Sequence, residues 1–280
     1  MNMNPFVLLL IIVTGITTYR GLADETIQRK YMFDARAVRV RKQRYRVLTA
    51  GFLHGHWPHF AINMWSLYSF GSALIEKMGA LGFLLTYAVS IIGGSLLSLS
   101  LNRKGDSQSV GASGGVCGVV FAAIFLIPGS YVMLPFIPIP ISALWFAKGF
   151  LVVSFVGFAT KFDQIAHDAH AGGAFVGLVV SIILRPQSLI TNGPQYLVVI
   201  AVFASLVFVI NRYPQILDIN TFLGKRSGVR STPIRLDAKY LQKVLPEYRR
   251  WLERKVGIVS RTYQKKIQPT IDKLWRRLFG

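Results

Sequence analysis

Two kinds of residue are scarce in this 280-residue chain, and each shortage excludes something. There is one cysteine, Cys117, so neither an intramolecular disulfide framework nor a cysteine-based metal site can form. Charge is thin as well. Only 16% of the residues are Asp, Glu, Lys or Arg, where a soluble domain carries about 25%. Acidic residues are the scarcer sign, 12 against 32 basic ones. What fills the space is apolar: 52% of the chain is hydrophobic, which favours an integral membrane protein. The net charge of +20 is uneven, with 17 Lys/Arg and 5 Asp/Glu from Arg212 onward, and nine basic residues between Arg20 and Arg46. Basic blocks beside apolar helices suit anionic lipid headgroups better than nucleic acid, so lipid is an expected partner and nucleic acid is not.

A spanning helix needs about 20 mostly apolar residues. Seven segments come near that length: Pro5–Tyr19, His56–Leu74, Leu81–Leu101, Ser113–Pro128, Ala143–Ala159, Ala166–Leu184 and Tyr196–Ile210. The first has no basic residue before it and so lacks the charged start of a signal peptide; a retained helix is expected. Residues 1–211 therefore read as a transmembrane domain. Residues 212–280 read as a basic tail, part of which places Leu241, Val244, Leu245, Tyr248, Trp251 and Leu252 on one helical face. The fold class is all-α, a polytopic membrane helix bundle. With seven spans, the strongly basic segments share the side of Ser113 and His170, which the positive-inside rule assigns to the cytoplasm.

Polar residues inside spans are expensive and are functional candidates by default. All five histidines, His54, His56, His59, His167 and His170, fall near the ends of two spans. Gly111-Ala112-Ser113-Gly114-Gly115 fits the G-x-S-x-G elbow of soluble hydrolases, but that elbow needs an apolar strand before it and the preceding residues are NRKGDSQSV. Here Ser113 instead opens an apolar helix. Gly114 and Gly118 are four apart, as are Gly173 and Gly177, and such strips let two helix backbones approach closely. If they pack together, Ser113 comes within reach of His170, the base that a serine hydroxyl needs. His59 and Asn63 share a face and, with the Ser113 N–H, can surround a developing oxyanion. Neither Asp168 nor Asp163 is suitably spaced for a third member, so the reading is a dyad.

These motifs resemble those of the rhomboid family of intramembrane serine proteases. His54, His59 and Asn63 match H-x-x-x-x-H-x-x-x-N; Gly111, Ser113 and Gly114 match G-x-S-G; Ala169, His170, Gly173 and Gly177 match A-H-x-x-G-x-x-x-G. Tyr45-Arg46 falls where the family often has Trp-Arg. The resemblance covers about residues 46–184, a six-helix core, with the span at about 196–210 added at its C-terminal end. It implies Ser113 as nucleophile, His170 as general base, and His59 and Asn63 as oxyanion donors, with His54 in a structural or water-associated place. Where the family often stacks a tyrosine on the histidine, four residues after the serine, this chain has Cys117.

The resemblance further implies a serine endopeptidase that cleaves single-span membrane proteins through an acyl-enzyme, with no cofactor and no metal. The alternative is a non-catalytic relative that binds or dislocates membrane helices. The implied setting is a bacterial plasma membrane, with an organellar membrane as the alternative; the family's commonest bacterial topology places the active site outside, opposite to the side that the basic segments indicate.

Overall fold

The computed structural model describes residues 4–102, 107–134, 137–160 and 165–212. The basic C-terminal tail, Arg103, Lys104, Lys161 and Asp163 lie outside the described residues. The chain opens with α1 (Pro5–Ala23), whose start is set by the Asn4 side chain accepting from the Phe6 N–H and by proline in the first turn. It runs four residues beyond the expected Tyr19, because nothing in Arg20–Ala23 breaks a helix. Its Phe6, Leu9, Ile12 and Ile16 face outward, while Val7, Thr14, Thr18 and Gly21 face the protein.

The polar stretch that follows is ordered rather than loose. It contains α2 (Glu25–Tyr31), β1 (Phe33–Asp34), α3 (Ala35–Arg39), α4 (Arg46–Thr49) and a 3-10 turn at Ala50–Phe52. Asp24 and Asp34 cap the two helices that follow them. Arg46 is buried and ties the stretch together: its Nη1 donates to the carbonyls of Arg29 (2.7 Å) and Met32 (2.8 Å), and its Nε to Gln43 (2.6 Å). These acceptors include the last carbonyls of α2, which have no partner within the helix.

The second and third expected spans are joined as α5 (Trp57–Leu101), broken only at Gly79, where φ is +76°. That conformation is open to glycine at little cost. One residue thus reverses the chain, and Phe83 packs back toward Gly71 and Val7. β2 (Gln108–Ser109) pairs antiparallel with β1. α6 (Ser113–Leu126) comes next and is apolar on every side; eleven of its fourteen residues are buried, so it is the central helix. β3 (Tyr131–Leu134) and β4 (Ile137–Ser142) form an antiparallel pair. Alternating Ile and Pro in β4 cannot hold a helix, since proline fixes φ and constrains the residue before it. These two short ladders add minor strand pairs to a chain that is mostly helical, as expected.

α7 (Ala143–Thr160) and α8 (His167–Leu184) lie close to their expected bounds. α9 (Ser188–Arg212) begins eight residues before the expected Tyr196, with an irregular step at Asn192 and Pro194 inside it. The extra turn is held where Asn192 Nδ2 donates to the Phe125 carbonyl (2.7 Å) and where the Tyr196 hydroxyl meets those of Ser181 and Ser188. Among the described residues, α1, α5, α8 and the first part of α9 are long and apolar enough to cross a membrane; α6 and α7 carry shorter apolar stretches. The protein is an integral membrane helical bundle.

Candidate active site

Ser113 is the first residue of α6, and the residue before it, Ala112, has no side-chain oxygen to cap the helix. The first N–H groups of a helix have no partner within it. The backbone that delivers Ser113 needs glycine at 111, where φ is +147°. Gly111 N–H donates to the Ala50 carbonyl (3.0 Å), anchoring this turn to the ordered stretch before α5.

The two glycine strips meet. A Cβ placed on Gly173 would collide with the Gly114 carbonyl, and one on Gly177 with the Gly118 backbone. The second half of α5 closes the other side, with Ser90 against Gly118 and the Ala169 carbonyl against Gly94. Backbones this close leave the first turns of α6 and α8 little freedom to slide. The consequence is short: Ser113 Oγ lies 2.6 Å from His170 Nε2. At that distance the two are hydrogen-bonded, and the tautomer with Nε2 unprotonated lets the hydroxyl donate to the imidazole.

His59 stands beside the pair. A Cβ on Gly111 would lie 2.7 Å from His59 Cε1 and 3.4 Å from Ser113 Oγ, so ring and hydroxyl flank the same spot. His56 accepts from the His59 N–H through Nδ1 (3.2 Å), capping α5. Asn63 is buried, and one of its amide hydrogens goes to the His59 carbonyl (2.9 Å). An amide has two, so one remains to offer.

His54 is fully buried, and its two nitrogens join separate elements. Nε2 accepts from the Ala112 N–H (3.4 Å), so Nδ1 carries the proton and donates to Thr18 on α1 (3.0 Å). Burial, and then the neighbouring His59 and His56, push this imidazole down to about 3. It stays neutral at physiological pH.

Asp168 is buried next to the dyad but is engaged elsewhere. Its Oδ2 accepts from Asn102 Nδ2 (2.6 Å) and its Oδ1 from the Ala169 N–H (2.8 Å). Its role is to tie the start of α8 to the end of α5.

The dyad opens into a cavity of 1220 Å³. Its lining is mixed: His56, His59, Asn63, Ser66 and Gln108 are polar, and Ile62, Val120, Phe121, Phe146 and Phe150 are apolar. Polar groups at membrane depth are tolerated when they line such a space. Cys117 lines it too, one helical turn after Ser113. Among the described residues, no group of three or more His, Cys, Asp or Glu is placed to hold a metal.

Two more rings stand near His170: Phe150, which no sequence motif marks, and His167, one of the five histidines but with no role assigned from the sequence. Phe150, from α7, lies with its ring centroid 6.3 Å from that of His170 at an interplanar angle of 27°. His167 is buried, packs edge-on to His170 (6.1 Å, 72°), and fits against α7 where Gly157 leaves room. The Phe150–His170 and His167–Gly157 contacts cross from α7 to α8 and no local spacing signals them, whereas His167 and His170 are neighbours one turn apart on α8.

Comparison with known proteins adds an independent line. A family model described as Rhomboid domain matches residues 41–187. Similar proteins include "Rhomboid protein 1, mitochondrial" of Saccharomyces cerevisiae, 30% identical over 137 residues, which are 48% of this chain and 40% of that protein. "RHOMBOID-like protein 5" of Arabidopsis thaliana is 31% identical over 157 residues, 55% of this chain and 49% of that one. "Rhomboid-like protein 11, chloroplastic", also of Arabidopsis thaliana, is 32% identical over 147 residues, 49% and 51% of the two chains. The chain thus spans about half the length of the curated relatives it matches.

Proposed function

This chain belongs to the rhomboid family, and from that premise we propose that it is an intramembrane serine endopeptidase acting on single-span membrane proteins. The observation that carries the reading is the 2.6 Å contact between Ser113 Oγ and His170 Nε2 at a cavity lined by both polar and apolar residues.

In this reading His170 takes the Ser113 proton on Nε2 as Oγ attacks a substrate carbonyl. The oxyanion meets the Ser113 N–H, the free amide hydrogen of Asn63 and the His59 ring. Each such donor is worth roughly 10²–10³ in rate in acyl-transfer sites. His170 then passes its proton to the leaving amine, the peptide bond breaks, and an acyl-Ser113 ester remains. Water entering through the cavity gives a proton to His170 and attacks the ester, and as the acid leaves, His170 returns that proton to Ser113 Oγ, restoring both residues. His54 supports this chemistry indirectly, by holding Ala112 and therefore the turn that carries Ser113. The substrate helix enters from the bilayer and unwinds at its end to present a peptide bond to the cavity. No cofactor has a role in this reading. Anionic lipid is the proposed companion of the basic segments.

The non-catalytic alternative needs no nucleophile, and a serine and histidine at hydrogen-bonding distance favour catalysis over it. The relatives' names favour an organellar membrane over the bacterial plasma membrane expected from the sequence. The test is direct. Purified protein in liposomes should cleave a model membrane helix and react with a fluorophosphonate at Ser113. Ser113→Ala should lose both while keeping its thermal midpoint. Cleavage that survives in that variant would sink the proposal.

A further inference from the structure

Resting on the dyad reading above, we propose that Phe150 is the positioning residue for the His170 imidazole. It supplies from α7 the aromatic ring that Cys117 cannot supply from α6. The general base is useful only while Nε2 faces Ser113 Oγ, and an imidazole turns about two side-chain bonds. The bond to Ser113 fixes one edge of the ring. A flat partner against its face adds to the edge-on contact with His167 and limits rotation of the ring.

Phe150 fits that need in three respects. Its ring lies nearly parallel to that of His170, 27° apart, with centroids offset at 6.3 Å, an arrangement aromatic pairs favour. It is itself held in place, by Phe121 of α6 at 5.4 Å and by Phe146 of its own helix at 6.2 Å. The register of α7 on α8 is also set by a second contact. Gly157 lies seven residues from Phe150, two turns on along the same face, and receives His167, three residues from His170. A side chain at 157 would collide with the His167 ring, so only glycine lets α7 approach far enough for Phe150 to reach His170. Cys117, one turn into α6 and lining the same cavity, is small and has no ring.

The experiment uses the full chain in liposomes. It measures the rate of fluorophosphonate labelling at Ser113, kcat and KM on a model membrane helix, and the thermal midpoint. Phe150→Leu keeps an apolar side chain of similar bulk but removes the ring. It should lower the labelling rate and kcat about tenfold, with KM within twofold and the midpoint unchanged. Phe150→Ala should behave alike, and Phe150→Tyr should keep the parent rate within twofold. Adding Cys117→Tyr to Phe150→Ala returns a ring from the opposite helix and should recover most of the lost rate. A Phe150→Leu protein within twofold of the parent overturns the proposal. So does a loss confined to KM, which would make Phe150 a substrate contact, and so does a double variant no faster than Phe150→Ala. If the parent chain itself neither labels nor cleaves, the protease reading fails first and the role of Phe150 falls with it.

Discussion

α8 meets two neighbours in opposite ways. Against α6 it packs backbone to backbone, with Gly173 on Gly114 and Gly177 on Gly118. Against α7 it packs through side chains, with His170 on Phe150 and His167 at Gly157. The outer part of α7 carries Trp145, Val152, Val153 and Val156, all exposed. The difference separates two tasks. The backbone contact sets how far apart serine and histidine lie, because two helices in contact at glycine have no side chain to adjust. The side-chain contact sets how the histidine is turned, through groups that can move without unfolding the bundle.

That contrast can be broken at either interface. The largest effect is expected from Gly177→Val, which drives two methyl groups into the Gly118 backbone. Overpacking a tight interface costs about 1–3 kcal/mol and sometimes more. Here both the thermal midpoint and the fluorophosphonate labelling should fall, the latter by more than a hundredfold. Gly157→Ala should act on the other interface only. Its Cβ meets the His167 ring, α7 shifts outward, and labelling should fall about tenfold with the midpoint nearly unchanged. Equal loss of midpoint in the two variants would erase the distinction.

A smaller effect is expected from pH. His54 braces the backbone side of the site between Thr18 and Ala112, and its folded-state value of about 3 lies below the ordinary 6.5. A depressed histidine contributes stability that is fully present above about 6.5. That contribution is lost as pH falls toward 3, because only the unfolded chain takes the proton. The slope is about 1.4 kcal/mol per pH unit at most. Thermal midpoints measured from pH 7.5 to pH 5 should therefore decline. His54→Gln should start lower and decline less. A parallel decline in both proteins would show that other groups carry the acid sensitivity.

The smallest effect is expected at Gly149, on the same helix as Gly157. Among the described residues nothing lies within 4 Å of a Cβ there. Gly149→Ala should leave labelling within twofold and raise stability by about 0.5–1 kcal/mol, since alanine loses less backbone freedom in a helix. Two glycines eight residues apart would then differ about tenfold in consequence, set only by what faces each.

Much of this site was legible along the chain. Apolar length marked the helical segments, although the turn between the second and third was reduced to Gly79 and α9 began eight residues before Tyr196. Four-residue spacing marked the glycine faces, and Ser113 and His170 sat at their ends. The strands of Ile137–Ser142 and the capped helices before α5 were not read, because short polar or proline-rich segments carry too little periodicity.

What the sequence determined by itself were the things local repetition encodes: which stretches are apolar enough for a bilayer, and which helix faces are bare enough to touch. What only the tertiary structure decided were the partners. Asp168 lies two residues from His170 but bonds Asn102, 66 residues away. His54 joins Thr18 to Ala112, and the ring beside His170 comes from Phe150, not from the helix of Ser113. A helix face is fixed by bonds four residues long, and its spacing can be read. A partner is fixed by how whole helices pack, and that depends on every contact in the bundle together.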